Sequence, residues 1–138
     1  MRLPFPKYTI VKTGIQLLAV GLITFQFVYS RSMWSDEAKL ALNISDKNFF
    51  ELAKGLSYNQ SAPILFLWWV KLSQLIFGNS DYALRLPSFI MGVSSVFILT
   101  HLLETLIKNR ALVIGGLLVF ILNEKFIFYT IEFKQYIG

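Results

Sequence analysis

The chain has 138 residues, 55% hydrophobic and 16% aromatic, with only 15% charged against the roughly 25% of soluble domains, and its mean hydropathy is +0.57. That balance excludes a soluble globular domain and points to an integral membrane protein. The net charge of +5 comes from 13 dispersed Lys and Arg rather than a basic stripe, which argues against nucleic acid as a partner and for a role in topology and contact with anionic headgroups; no cysteine is present to form disulfides or thiolate sites.

Arg2, Lys7 and Lys12 precede an apolar run over residues 10–29. The run exceeds a signal-peptide core of roughly 7 to 15 residues, and Tyr29-Ser30-Arg31-Ser32 is not a small-residue cleavage site. It is read as a retained first span with a cytoplasmic N-terminus.

Residues 30–85 are expected to form an external loop with juxtamembrane helices. In the first helix Ser35 is the expected cap, Asp36 and Glu37 lie in the first turn, and Ala38, Ala41 and Leu42 share a face. The second begins near Asp46 and spaces Phe49, Leu52, Ala53 and Leu56 at i, i+3, i+4 and i+7. Both are read as interfacial helices with apolar faces toward the bilayer. Pro63 then opens an apolar run over 64–77 that ends at Gly78-Asn79 and contains Trp68, Trp69 and Lys71. It is short for a span of about 20 residues. Were it to cross, Lys108 and Arg110 would lie opposite the basic N-terminus, so the positive-inside rule favours a non-spanning helix.

A second span is expected over 86–107, with Pro87 near its first turn. Lys108-Asn109-Arg110 makes a basic turn, and a third span follows over 111–130, with Gly115-Gly116 offering a close approach to another helix. The expected class is all-α, with about three spans.

Among the candidate sites, Asp36-Glu37 has two readings. Acids in a first helical turn stabilise it by about 0.3–1 kcal/mol through the helix dipole. Adjacent carboxylates in a partly desolvated site also separate in pKa, which suits one of them to act as a base. His101, Glu104 and Lys108 read as an intrahelical polar cluster, since one histidine and one carboxylate are too few to hold a metal. Trp68 and Trp69 read as membrane-belt anchors.

Four motifs occur in one order: Trp34-Ser35-Asp36-Glu37-Ala38, Tyr58-Asn59-Gln60-Ser61-Ala62-Pro63, Phe77-Gly78-Asn79 leading to Arg85-Leu86-Pro87-Ser88, and Glu132-Phe133-Lys134-Gln135-Tyr136. The series resembles the N-terminal module of GT-C membrane glycosyltransferases, the dolichyl-phosphate-mannose protein mannosyltransferase and aminoarabinose-transferase superfamily. The resemblance implies transfer of a sugar, with inversion, from a polyprenyl-phosphate donor to a lipid, glycan or protein acceptor on the outer face. It makes Asp36 the catalytic carboxylate with Glu37 in support, and places Trp34, Gln60, Arg85, Glu132, Lys134, Gln135 and Tyr136 at the substrates. No cofactor is assigned, and a divalent metal is left open. The implied location is the bacterial plasma membrane. Ser61-Ala62-Pro63 departs from the basic or histidine residue and double proline of many relatives, and the chain is far shorter than a family member of about a dozen spans. A truncated, inactive module is therefore expected; the alternative is a small non-enzymatic membrane protein that binds a partner or lipid.

Overall fold

The computed structural model describes residues 5–29, 32–130 and 132, and its elements are all helical. They are α1 (Phe5–Tyr29), α2 (Ser35–Asp46), α3 (Phe49–Lys54), α4 (Ile64–Phe77), α5 (Asp81–Leu106), α6 (Arg110–Ile121) and α7 (Glu124–Tyr129). The all-α expectation holds, and two helices, Pro6–Tyr29 and Asp81–Leu106, are long and apolar enough to cross a membrane.

The long helices α1 and α5 pair antiparallel, and their few polar side chains mark the register. Tyr82 Oη donates to the Val28 carbonyl (3.2 Å), Gln16 Nε2 to Thr100 Oγ1 (3.1 Å) and Tyr8 Oη to Glu104 (2.7 Å). Lys12 reaches the same Glu104 oxygen at 2.9 Å, so Glu104, expected in a polar cluster along one helix, is bonded across to α1. Between these rungs Ala19 and Ile23 pack with Val96 and Ile121, while Tyr8 packs with Val113 and Leu117. A second core joins α2, α3, α4 and the start of α5 through Leu40, Ile44, Leu52, Phe66, Leu67, Val70 and Leu84.

Several boundaries differ from those read in the sequence. Helix α2 is preceded by Trp34 as its N-cap, with Ser35 the first helical residue, and it runs through Asp46. Its inward face is Glu37, Leu40, Asn43 and Ile44, whereas Leu42 is exposed, because a polar residue on that face finds partners inside. Helix α3 starts at Phe49: Asn48 accepts from the Glu51 N–H and Glu51 from the Asn48 N–H, the reciprocal pair of a capping box. It ends at Gly55, whose φ of +151° suits glycine.

Helix α4 follows Pro63 and ends at Gly78 with φ +83°, as its sequence predicts. Its 14 residues extend about 21 Å, less than a hydrocarbon core of about 30 Å. Lys71 turns toward the end of α2, where its ammonium donates to the Ile44 carbonyl and to Gln74 Oε1 (3.1 Å). A cation at that end serves the orphan carbonyls of α2.

Helix α5 begins earlier than expected, because Ser80 caps it by accepting from the Ala83 N–H, with Asp81 in its first turn. Pro87 therefore lies inside the helix, where it cannot donate to the Ala83 carbonyl four residues back. Ser73 of α4 fills that place, its hydroxyl donating to the Ala83 carbonyl at 2.6 Å. The stretch expected as one helix over 111–130 is divided at Asn123, whose Oδ1 accepts from the Lys125 and Phe126 N–H groups and starts α7.

Of the pair Gly115-Gly116, Gly116 does lie close to another helix, where a Cβ would come 3.2 Å from Leu103 Cδ1 of α5, but the tightest approach is at Gly92. A Cβ on Gly115 would meet nothing within 4 Å, whereas one on Gly92 would lie 2.5 Å from Thr130 Cβ. Only glycine lets α5 come this near to the end of α7.

Candidate active site

The acidic pair lies where α2 begins. Neighbouring helical residues point about 100° apart, so Asp36 and Glu37 cannot share an environment. Glu37 faces inward and is buried; its Oε2 accepts from the Trp34 N–H at 3.1 Å and from Arg85 Nη2 at 3.3 Å. Arg85 approaches from the second turn of α5, with 1% of its side chain exposed. The ion pair joins helices 48 residues apart in the chain.

Asp36 has 45% of its side chain exposed, and its carboxylate lies 3.6 Å from Lys39 Nζ, one turn on. Such a surface pair is weak, typically below about 1 kcal/mol. Glu37 is thus held in a buried salt bridge, and Asp36 in an ion pair at the surface. Trp34 exposes its indole beside them while its backbone N–H fixes Glu37.

The remaining expected site residues are spread more widely. Gln60 lies in the turn after α3, where Tyr58 and Asn59 take left-handed conformations (φ +62° and +53°). Its Nε2 donates to the Tyr58 carbonyl at 3.3 Å, and its Oε1 is buried with no partner among the described residues. Glu132 is buried. Lys134, Gln135 and Tyr136 lie outside the described residues. Trp68 donates its indole N–H to the Phe49 carbonyl at 2.9 Å and so ties α4 to α3. Among the described residues, no group of three or more His, Cys, Asp or Glu side chains could hold a metal ion.

Two contributors escaped the sequence reading. Asn43 is 1% exposed and grips the loop after α3: its Oδ1 accepts from the Ser57 N–H at 2.7 Å, and its Nδ2 donates to the Ser57 and Lys39 carbonyls. The available signal was its spacing, i+3 from Leu40 and next to Ile44 on the buried face. Ser73 was the other, and only the pairing of α4 with α5 gives it meaning.

Comparison with known proteins gives one result. The family model for dolichyl-phosphate-mannose-protein mannosyltransferase matches residues 61–134. No curated protein and no solved structure matches the chain. The matched segment runs from just before α4 to beyond α7 and so includes Arg85, while Asp36 and Glu37 precede it.

Proposed function

Because the chain belongs to the dolichyl-phosphate-mannose-protein mannosyltransferase family, GT-C membrane glycosyltransferases, we propose that Asp36 is the base for sugar transfer from a polyprenyl-phosphate donor. The acceptor hydroxyl approaches from the outer face and gives its proton to the Asp36 carboxylate. Its oxygen forms a bond to the anomeric carbon as the bond from that carbon to the phosphate oxygen breaks. The electron pair leaves with the polyprenyl phosphate, and the anomeric centre inverts. Trp34 stands beside the acceptor.

One observation carries this reading: the adjacent carboxylates are sorted, Glu37 into a buried ion pair and Asp36 onto the surface. A carboxylate engaged by arginine is a poor proton acceptor. Glu37 and Arg85 are therefore positioning residues that hold the start of α2 against α5, and Arg85 acts through Glu37 rather than on the donor.

The test is sugar transfer by a full-length form that carries this module, in proteoliposomes supplied with a polyprenyl-phosphate sugar. Asp36→Asn should lower the rate by about 10²–10⁴-fold, the usual contribution of a general base, with membrane insertion unchanged. Retention of transfer within about threefold of the starting rate would remove Asp36 from the chemistry.

A further inference from the structure

At the end of the bundle opposite the acidic pair, the fold gathers cations that lie far apart in the chain. Tyr8 stands in the first turn of the helix Pro6–Tyr29 and Glu104 in the last turn of Asp81–Leu106, whereas Tyr82 and Val28 join the other end of the same two helices, one turn before Arg85. At 1.5 Å per residue these helices extend about 36 and 39 Å, more than a hydrocarbon core of about 30 Å, so Tyr8 and Glu104 fall at the headgroup boundary. Glu104 is occupied there. Its Oε1 accepts from Tyr8 Oη at 2.7 Å and from Lys12 Nζ at 2.9 Å, and the charge of Lys12 balances its own.

A cavity of about 220 Å³ opens beside this pair, lined by Tyr8, Glu104, Ile107, Lys108, Arg110 and Val113. Lys108 is exposed, and the Arg110 guanidinium lies 5.3 Å from the centre of the Tyr8 ring, a contact that fixes its direction. Helix α6 begins at Arg110 with Asn109 as its cap, so the positive end of its dipole lies at the same place. With Glu104 and Lys12 cancelling, Lys108 and Arg110 leave an excess of two positive charges in one concave site. Apolar surface continues from it, since Leu106 and Leu112, next to lining residues in the chain, are 70% and 61% exposed. A free inorganic ion would engage the cations and leave that surface unused. A lipid engages both.

We propose that this basic end holds the phosphate of an anionic phospholipid, with its oxygens on Lys108 and Arg110 and its acyl chains along Leu106 and Leu112. Zwitterionic phospholipids carry the same phosphate, but their ammonium group would meet the same two cations. Charge complementarity therefore favours a headgroup whose net charge is negative.

The test is native mass spectrometry of the purified full chain in detergent, titrated separately with phosphatidylglycerol, phosphatidylcholine and the water-soluble headgroup glycerophosphoglycerol. Phosphatidylglycerol should bind about twentyfold more tightly than phosphatidylcholine, about fivefold for each of the two cations. Lys108→Gln should lower its affinity by about fivefold and Lys108→Arg should keep it, and because Lys108 is exposed the fold survives both. Lys54→Gln removes the same charge from α3, at the other end of the bundle, and should change nothing. Glu104→Gln, which leaves Lys12 unbalanced, should tighten binding instead. The preference should survive Asp36→Asn, whose carboxylate lies at the far end. Unchanged affinity in Lys108→Gln, or an equal loss in Lys54→Gln, would overturn the site. Weaker binding by Glu104→Gln would overturn the charge count on which it rests, and equal affinity for glycerophosphoglycerol would overturn a lipid as the occupant.

Discussion

Arg85 and Glu37 form a salt bridge of 3.3 Å with side chains 1% and 3% exposed, so neither charge has water to fall back on. Removing one partner takes a charge-assisted bond from the other, which stays buried. Arg85→Ala and Glu37→Ala should each destabilise the protein by about 3–5 kcal/mol, and Arg85→Met combined with Glu37→Leu should recover most of the loss. Denaturant unfolding in detergent measures all three; additive single-variant losses in the double variant would contradict the pairing.

Asp36 should behave oppositely. Its pairing with Lys39 is exposed, so Asp36→Asn should shift stability by no more than about 1 kcal/mol in the same unfolding experiment. A loss as large as that of Glu37→Ala would mean that Asp36 supports the fold.

Ser73 and Pro87 make a coupled pair although they do not touch through a shared atom of their own. Ser73→Ala should cost about 1–3 kcal/mol by leaving the Ala83 carbonyl unserved. In a Pro87→Ala background position 87 regains its N–H, and the same substitution should become nearly neutral. A double-mutant cycle reads the coupling, and additivity would exclude this account.

Gly92→Ala should destabilise by about 1–3 kcal/mol through overlap with Thr130, while Gly115→Ala, with open space around it, should be neutral or stabilising. Thermal unfolding of the two variants side by side distinguishes them.

Asn43→Ala should release the loop after α3. The Ser57 amide, now held at 2.7 Å, should lose its hydrogen-exchange protection while the α1 and α5 amides keep theirs. Uniform loss of protection would show that Asn43 holds the whole fold rather than one loop.

What was legible in the sequence follows from how local each signal is. Pro63 and Gly78 bracket α4 in both readings, because a fixed φ and a left-handed stop are properties of single residues. The apolar runs announced α1 and α5 by length. Less visible were features decided by a distant partner. Glu37 looked like a first-turn acid until Arg85 met it, and Asn43 looked like an ordinary polar residue until Ser57 met it. The early start of α5 was hidden because Asn79-Ser80-Asp81 reads equally as a loop or as a cap. The division at Asn123 was hidden, although Asn123-Glu124-Lys125 interrupts the apolar run, because the run resumes at Phe126 and its whole length suits one span; the side-chain bonds of Asn123 reveal the new start.

The substitution of Ser73 for a missing backbone bond also has a mechanical result. The first turns of α5 are fastened sideways, to α4 through Ser73 and to α2 through Glu37, while the proline removes one of the ties that would bind them to their own shaft. A bilayer that thickens or thins makes long helices lean. A lean of the α5 shaft would meet its first weakened turn at Pro87, while the ties to α4 and α2 hold the start of α5 beside the two carboxylates.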